Sequence, residues 1–490
     1  MRPGIGLVLV VTVAVTAAGL SSGQPAAADR QGPVAHFVVL GPEDGPLAKT
    51  EESVRDAGGQ ILRSWPQIGV VVATSERADF AAAVRLLPGV EAAGATRNLV
   101  ELTEGARPRG LDDRAPLSRK DGVAATTGSP EPLAANQWGM RQIGADRAND
   151  ISGGSRDQLV GVLDAGVDAG HPDLASNIDA ANSVSCGDEG VPDTSPEAWA
   201  PPPDFSHGTA VAGIIAADRN GVGIAGVAPN VRIASVRIAD DDLWIYPEYA
   251  ICGYVWAAEH GIQVTSASIF VDPWLRWCDD DPDQAAGAEA MRRAIDYATG
   301  HGVVNVAAIG NLNWDMSHPV LDTISPDNGE PVERLTGDNC ALVPGEAPGV
   351  VAVSATGAAA RKTFYSSYGI RDTDVTAPGG DELQIPDTPD RDPGILTTMN
   401  NGAWGYFGGT SAATPHVAGV VALIRGTHPD WSPQQVVAAL RRDADPLPCP
   451  PGGWFDPDGT GDWLAYCQGG RSGRGFYGSG LVDALDAVTR

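Results

Sequence analysis

The stretch "QLVGVLDAGVDAGHPDL", Gln158 to Leu174, holds an apolar run that stops at Asp164 and gives way to glycine-rich turns. An apolar run of that length, bounded by turn residues, predicts a strand buried on both faces. The pattern recurs along the chain in "NVRIASVRI", "GIQVTSASI", "GVVNVAAIGN" and "GVVAVSAT". Helical stretches over 208–217, 250–260 and 285–300 separate these runs. Strands alternating with helices predict an α/β fold, a three-layer sandwich around a mostly parallel central sheet. In such a sheet functional groups collect at the C-terminal strand ends, and Asp164, Ser268 and Asn311 hold such positions.

Upstream, the texture differs. Val34–Leu40 and Gly69–Thr74 read as strands, while 44–57 and the segment "RADFAAAVRLLPGV" read as helices. This predicts a small α+β domain over 29–100. A linker rich in Asp, Arg, Ser, Pro and Gly follows over 101–135, and the larger domain spans 136–490. Arg2, the apolar run Ile5 to Ala18 and the small residues Ala26 to Ala28 have the order of a secretory signal peptide over 1–28. The mature protein is therefore expected to be secreted and extracellular, with no membrane anchor once the signal is removed.

With 43% hydrophobic and 19% charged residues, the 490-residue chain reads as globular. A formal charge of −29 speaks against a nucleic-acid partner, which needs a basic face. Export makes disulfides plausible among Cys186, Cys252, Cys278, Cys340, Cys449 and Cys467, and no C-x-x-C spacing suggests zinc. Cys449 with Cys467 would staple one Gly/Pro-rich loop; the pairing of the other four stays open.

Four segments carry polar groups to the expected sheet edge. Asp164 ends a strand, His207 opens the apolar helix of "SHGTAVAGIIAA", Asn311 ends another strand, and Ser411 opens the helix of "FGGTSAATPHVAG". Nucleophilic acyl transfer needs such a set. A serine hydroxyl needs a base to take its proton, a histidine can take and return it, and a buried aspartate fixes the histidine tautomer. The Ser411 N–H and the Asn311 side chain would supply oxyanion donors.

These motifs resemble those of the subtilisin-like serine proteases (subtilases, peptidase family S8), in the order Asp, His, Ser. The likeness runs from Gln137-Trp138-Gly139 to the closing "YGSGLVDALDAV". It implies that Ser411 is nucleophile, His207 general base and acid, Asp164 its orienter and Asn311 an oxyanion donor. The small N-terminal domain is similar to the family's inhibitor I9-like propeptide, so the chain is expected to be a self-processing zymogen of a monomeric serine endopeptidase. Its expected partners are a peptide or protein substrate and its own propeptide. The alternative is a catalytically silent subtilase-fold binding protein.

The resemblance also marks departures. Ala165 follows the catalytic Asp where the family usually has Ser or Thr, so a hydroxyl that could hold the carboxylate is missing. The substrate groove is expected between Ser268-Ile269-Phe270, with Ala308 and Gly310, and an opposite edge at Asp242 and Leu243. Phe270, Leu243 and Trp244 stand where glycines or small residues are common, which predicts a narrowed groove and a selective processing protease. Asp240, Asp241 and Asp242 point to basic residues upstream of the scissile bond, or to a solvated acidic loop. No cofactor is needed for the chemistry. A structural calcium is implied at Asp173 and Asn220 through side chains and at Asp218, Val222 and Ile224 through backbone carbonyls.

Overall fold

The computed structural model describes residues 34–43, 45–97 and 131–490. The expected signal peptide and most of the expected linker lie outside them. The N-terminal unit is a four-stranded antiparallel sheet of β1 (Ala35–Leu40), β2 (Gln60–Trp65), β3 (Val70–Ser75) and β4 (Ala92–Ala95), in the order β2-β3-β1-β4. Two helices, α1 (Ala48–Asp56) and α2 (Phe80–Val84), pack on one face of it.

In the large domain, α3 (Trp138–Gln142) and α4 (Ala145–Ile151) lead into β5 (Leu159–Asp164) and β6 (Val184–Ser185). Then come α5 (His207–Ala216), β7 (Arg232–Arg237), α6 (Pro247–Glu259) and β8 (Val264–Ala267). A short strand β9 (Trp277–Cys278) precedes α7 (Pro282–Gly300) and β10 (Val304–Ala308). The hairpin β11 (Val320–Asp322) with β12 (Arg334–Thr336) follows, and β13 (Cys340–Ala341) pairs back to β9. Strands β14 (Val351–Thr356) and β15 (Val375–Pro378) complete a parallel seven-stranded sheet in the order β15-β14-β10-β8-β5-β7-β6.

Side chains alternate across the central strand β5 and fix the two outer layers. Val160 and Val162 enter an apolar cluster with α5 and with α8 (Thr410–Thr427); Leu159 and Leu163 enter another with α6 and α7. This is the expected three-layer α/β sandwich. A hairpin of β16 (Ile395–Met399) and β17 (Ala403–Phe407) runs into α8. Its Thr397 and Thr398 hydroxyls donate to the Ala210 and Thr209 carbonyls at 2.7 and 2.6 Å, which ties the start of α5 to the start of α8.

All six cysteines are paired. Cys449–Cys467 forms as expected, and the pairs left open are Cys186–Cys252 and Cys278–Cys340. The other face of the N-terminal sheet lies on the large domain: Val38, Leu40, Trp65, Ile68, Val70 and Val72 share one apolar cluster with α6 and α7. Polar contacts rim it. Arg293 donates to the Gly41 carbonyl at 2.8 Å and pairs with Glu91 at 2.9 Å, and Arg85 pairs with Asp283.

Candidate active site

Strand β5 delivers Asp164 to the C-terminal edge of the sheet, beside the first residue of α5. His207 Nδ1 lies 2.9 and 2.8 Å from the two Asp164 carboxylate oxygens, and both side chains are buried. A carboxylate at Nδ1 holds the ring proton there and leaves Nε2 as the basic lone pair. Phe205 lies parallel to the ring at 5.9 Å and Phe407 meets it edge-on at 5.1 Å, so its plane is fixed. Nε2 itself is buried and has no hydrogen-bond partner among the described residues. Where the resemblance leads one to expect a hydroxyl, Ala165 uses its backbone: its N–H donates to Asp164 Oδ1 at 2.8 Å.

Ser411 is the second residue of α8, where the first-turn N–H groups have no acceptor within the helix. Gly409, at φ 102°, makes the turn into the helix, a left-handed conformation that glycine adopts without strain. The Ser411 hydroxyl donates to the Ser268 carbonyl at 3.3 Å, and the Ser268 hydroxyl returns a bond to the Ser411 carbonyl at 2.9 Å. The nucleophile candidate thus rests on the end of β8 and not on His207 Nε2.

Asn311 follows Gly310, which sits at φ 97°. Its Oδ1 accepts from the Thr410 N–H at 2.8 Å and from the Thr410 hydroxyl at 2.9 Å. Both bonds fall on the carbonyl end, so the amide nitrogen is the end left for an incoming oxygen. Ser268, Ile269, Phe270, Ala308 and Gly310 line one small pocket together with Asn311 and Ser411. Two residues here escaped the sequence reading. Leu342 also lines the pocket, and Thr410 is the group that aims Asn311. Nothing in the local pattern marks Leu342, which arrives from a distant segment.

The opposite edge differs from expectation. Trp244 is buried and stacked on Tyr246 at 5.8 Å, so packing takes up its bulk, and the expectation that it narrows the groove is corrected. Leu243 is half-buried against the same cluster and adopts φ 71°. Of the three aspartates, Asp240 accepts from the N–H groups of Asp242 and Trp244 at 3.0 and 2.9 Å, and burial pushes its carboxyl up to about 6. Asp241 pairs with Arg237 at 2.7 Å, and Asp242 is exposed.

At the expected cation site, Asp173 is buried. Its Oδ2 accepts from the Ile224 N–H at 2.9 Å and from Trp404 Nε1 at 2.8 Å, while Oδ1 has no partner among the described residues. Asn220 Oδ1 accepts from the Val222 N–H at 3.0 Å, and Asp218 accepts from the Ser176 hydroxyl at 2.6 Å. Glu131, inside the expected linker, is buried beside them and accepts from the Gly221 N–H at 3.0 Å. Burial, and next to it the Asp173 charge, push its carboxyl up against the pull of that N–H. Two buried carboxyls, one with an orphan oxygen, are a donor set that fits a hard cation, although no cluster of three or more His, Cys, Asp or Glu forms among the described residues. No helix among them is long and apolar enough to cross a membrane.

Comparison with known proteins agrees with this architecture. Residues 155–462 match the subtilase family, peptidase S8. Subtilisin of Bacillus pumilus is 30% identical over 309 residues, 63% of this chain and 90% of that protein. Fervidolysin of Fervidobacterium pennivorans is 30% identical over 342 residues, 66% of this chain, but the match spans only 43% of fervidolysin. Among solved structures, the epidermin leader peptide processing serine protease of Staphylococcus aureus superposes with a TM-score of 0.69 at 21% identity, covering 93% of this chain and 98% of that one. Fervidolysin, described as a keratinolytic enzyme related to subtilisin, gives a TM-score of 0.61 at 24% identity, covering 94% of this chain and 62% of its own. The chain belongs to the subtilase family of serine proteases.

Proposed function

We propose that the protein is a secreted serine endopeptidase made as a self-processing zymogen, with Ser411 as nucleophile, His207 as general base and acid, and Asp164 as its orienter. The observation that carries this reading is the His207–Asp164 pair, held within 2.9 Å and leaving Nε2 as an unpartnered base near the start of α8. Catalysis begins when the Ser411 hydroxyl turns from the Ser268 carbonyl to Nε2, as loose resting geometry tightens with substrate bound. Ser411 Oγ then bonds the scissile carbonyl carbon while its proton passes to Nε2. The carbonyl oxygen, now anionic, meets the Asn311 amide and the Ser411 N–H. As the peptide C–N bond breaks, Nε2 gives the proton to the leaving amine. Water repeats the sequence on the acyl-enzyme and frees the acid product.

On this reading the N-terminal unit is the propeptide, released by a cut in the segment that joins it to the large domain. Calcium is proposed at Asp173 and Glu131, with Asn220 and the backbone of the 218–224 loop completing the set. When bound, it supplies charge neutralisation and loop rigidity, with no part in the chemistry.

The test is intact mass of the secreted protein, wild type beside Ser411→Ala. Only the wild type is expected to lose the N-terminal unit, and a serine-reactive phosphonate is expected to label Ser411 in the processed form. Equal trimming of both proteins, with no labelling, would overturn the reading.

A further inference from the structure

Arg97 is the last described residue of the N-terminal unit, and it is not spent on that unit's own fold. Its guanidinium reaches across into the large domain, where Nε and Nη2 donate to Glu248 Oε1 at 3.1 and 2.6 Å and Nη2 donates to the Tyr249 hydroxyl at 2.9 Å. The cation lies over the Tyr246 ring at 4.2 Å and near the Tyr249 ring at 5.2 Å. Glu248 is wholly buried, and its second oxygen has no partner among the described residues. Burial pushes that carboxyl up, but the Arg97 charge, with that of His36, outweighs it and holds Glu248 below the usual carboxylate range.

A buried carboxylate flanked by two aromatic faces has one good use, since its desolvation is offset only by a cation seated against it. The large domain does not supply that cation. When the N-terminal unit leaves, Glu248 on α6 loses the cation that neutralises it in the whole chain. The cage follows directly on the Asp242–Leu243 edge expected to flank the substrate, and Trp244 of that edge stacks on Tyr246 at 5.8 Å. Asp240 lies on the same segment, and the Arg97 charge pulls its carboxyl down against the larger effect of burial.

We propose that Glu248, Tyr246 and Tyr249 form a subsite for an arginine side chain of the substrate, upstream of the scissile bond and away from the pocket at Ser411, which Arg97 fills in the uncleaved chain. This rests on the endopeptidase reading. It moves the preference for basic residues from the exposed Asp241 and Asp242 to the carboxylate that an arginine of the N-terminal unit already occupies in the whole chain. Planar, bidentate and stacking contacts favour arginine over lysine here.

Two measurements test it separately from proteolysis. In the first, full-length Ser411→Ala carries Arg97→Ala, which empties the cage, and is titrated with N-acetyl-arginine amide by tryptophan fluorescence and thermal shift. Saturable binding is expected there, with none when Arg97 is kept, none when Glu248→Gln is added, and none for the citrulline analogue. In the second, one arginine is scanned through the upstream positions of an otherwise neutral peptide and incubated with the processed wild type. A single distal position is expected to raise kcat/KM by about 10- to 100-fold, the range for a hydrogen bond to a charged group, and Glu248→Gln to abolish only that gain. Failure of the amide to bind overturns the subsite, as does a flat scan by an active enzyme. Binding of the amide with no peptide cut at all would instead overturn the endopeptidase reading and leave the cage standing.

Discussion

Thr410 gives both its backbone N–H and its hydroxyl to Asn311 Oδ1, so the orientation of the oxyanion amide depends on the residue beside the nucleophile. Thr410→Val removes one of these bonds with little change in volume. On the proposed mechanism kcat is expected to fall by about tenfold with KM unchanged, the signature of a contact that matters in the transition state. Steady-state kinetics on one peptide checks this. Lys362 stands a few residues away in space, its Nζ on Asn313 Oδ1 at 2.5 Å and among the rings of Tyr368, Phe455 and Phe476. Burial pulls its ammonium down to about 7 from an ordinary 10.5, against a smaller pull upward from Asp381. The unfolded chain therefore binds more protons than the folded one between those values, and stability gains with rising pH across that window. Lys362→Met is expected to remove this contribution. Urea unfolding of both proteins from pH 6 to 10 would show the wild type gaining on the variant as pH rises, and parallel curves would refute the shift.

At the scale of elements, β4 meets α7 without room for a side chain. A Cβ on Gly94 would stand 2.3 Å from the Asp283 carbonyl oxygen. Gly94→Ala should push β4 off its seat and cost about 1–3 kcal/mol of docking, as overpacking does elsewhere, seen as a lower urea midpoint for the full-length Ser411→Ala chain. That β4 is a strand at all was not legible in the sequence. "AAGA" has poor strand propensity, and pairing with β1 makes it extended. The strand β2 was hidden for another reason: a register shift between Ile61 and Arg63 breaks its alternation. By contrast, β5, β7, β8, β10 and β14 were legible because parallel strands buried on both faces are apolar throughout. The Asp and Asn positions followed from the ends of those runs, and the His and Ser positions from the starts of the apolar helices α5 and α8. Thr410 and Leu342 did not, since their roles arise from contacts across long separations.

The whole molecule is held by features outside the reaction. Glu131, read as linker, is buried against Asp173 and the Gly221 turn, so the loop after α5 and the start of the large domain share one carboxylate-rich spot. On the calcium proposal, chelation by EGTA at neutral pH is expected to lower the Tm, and a saturating ion to restore about 2–4 kcal/mol by mass action. Glu131→Gln should shrink that calcium-dependent gain, and scanning calorimetry with and without the ion checks both. The shared apolar face between the N-terminal sheet and helices α6 and α7 has a different consequence. While the chain is whole, that face is presented at an effective concentration on the order of millimolar and stays shut. Cutting the connection adds no energy and removes no contact, yet it turns closure into a second-order encounter. On the proposed zymogen reading, dilution then becomes the trigger: in a crowded compartment the two pieces would re-engage and in open medium they would part, so the enzyme would switch on by leaving the place where it was made.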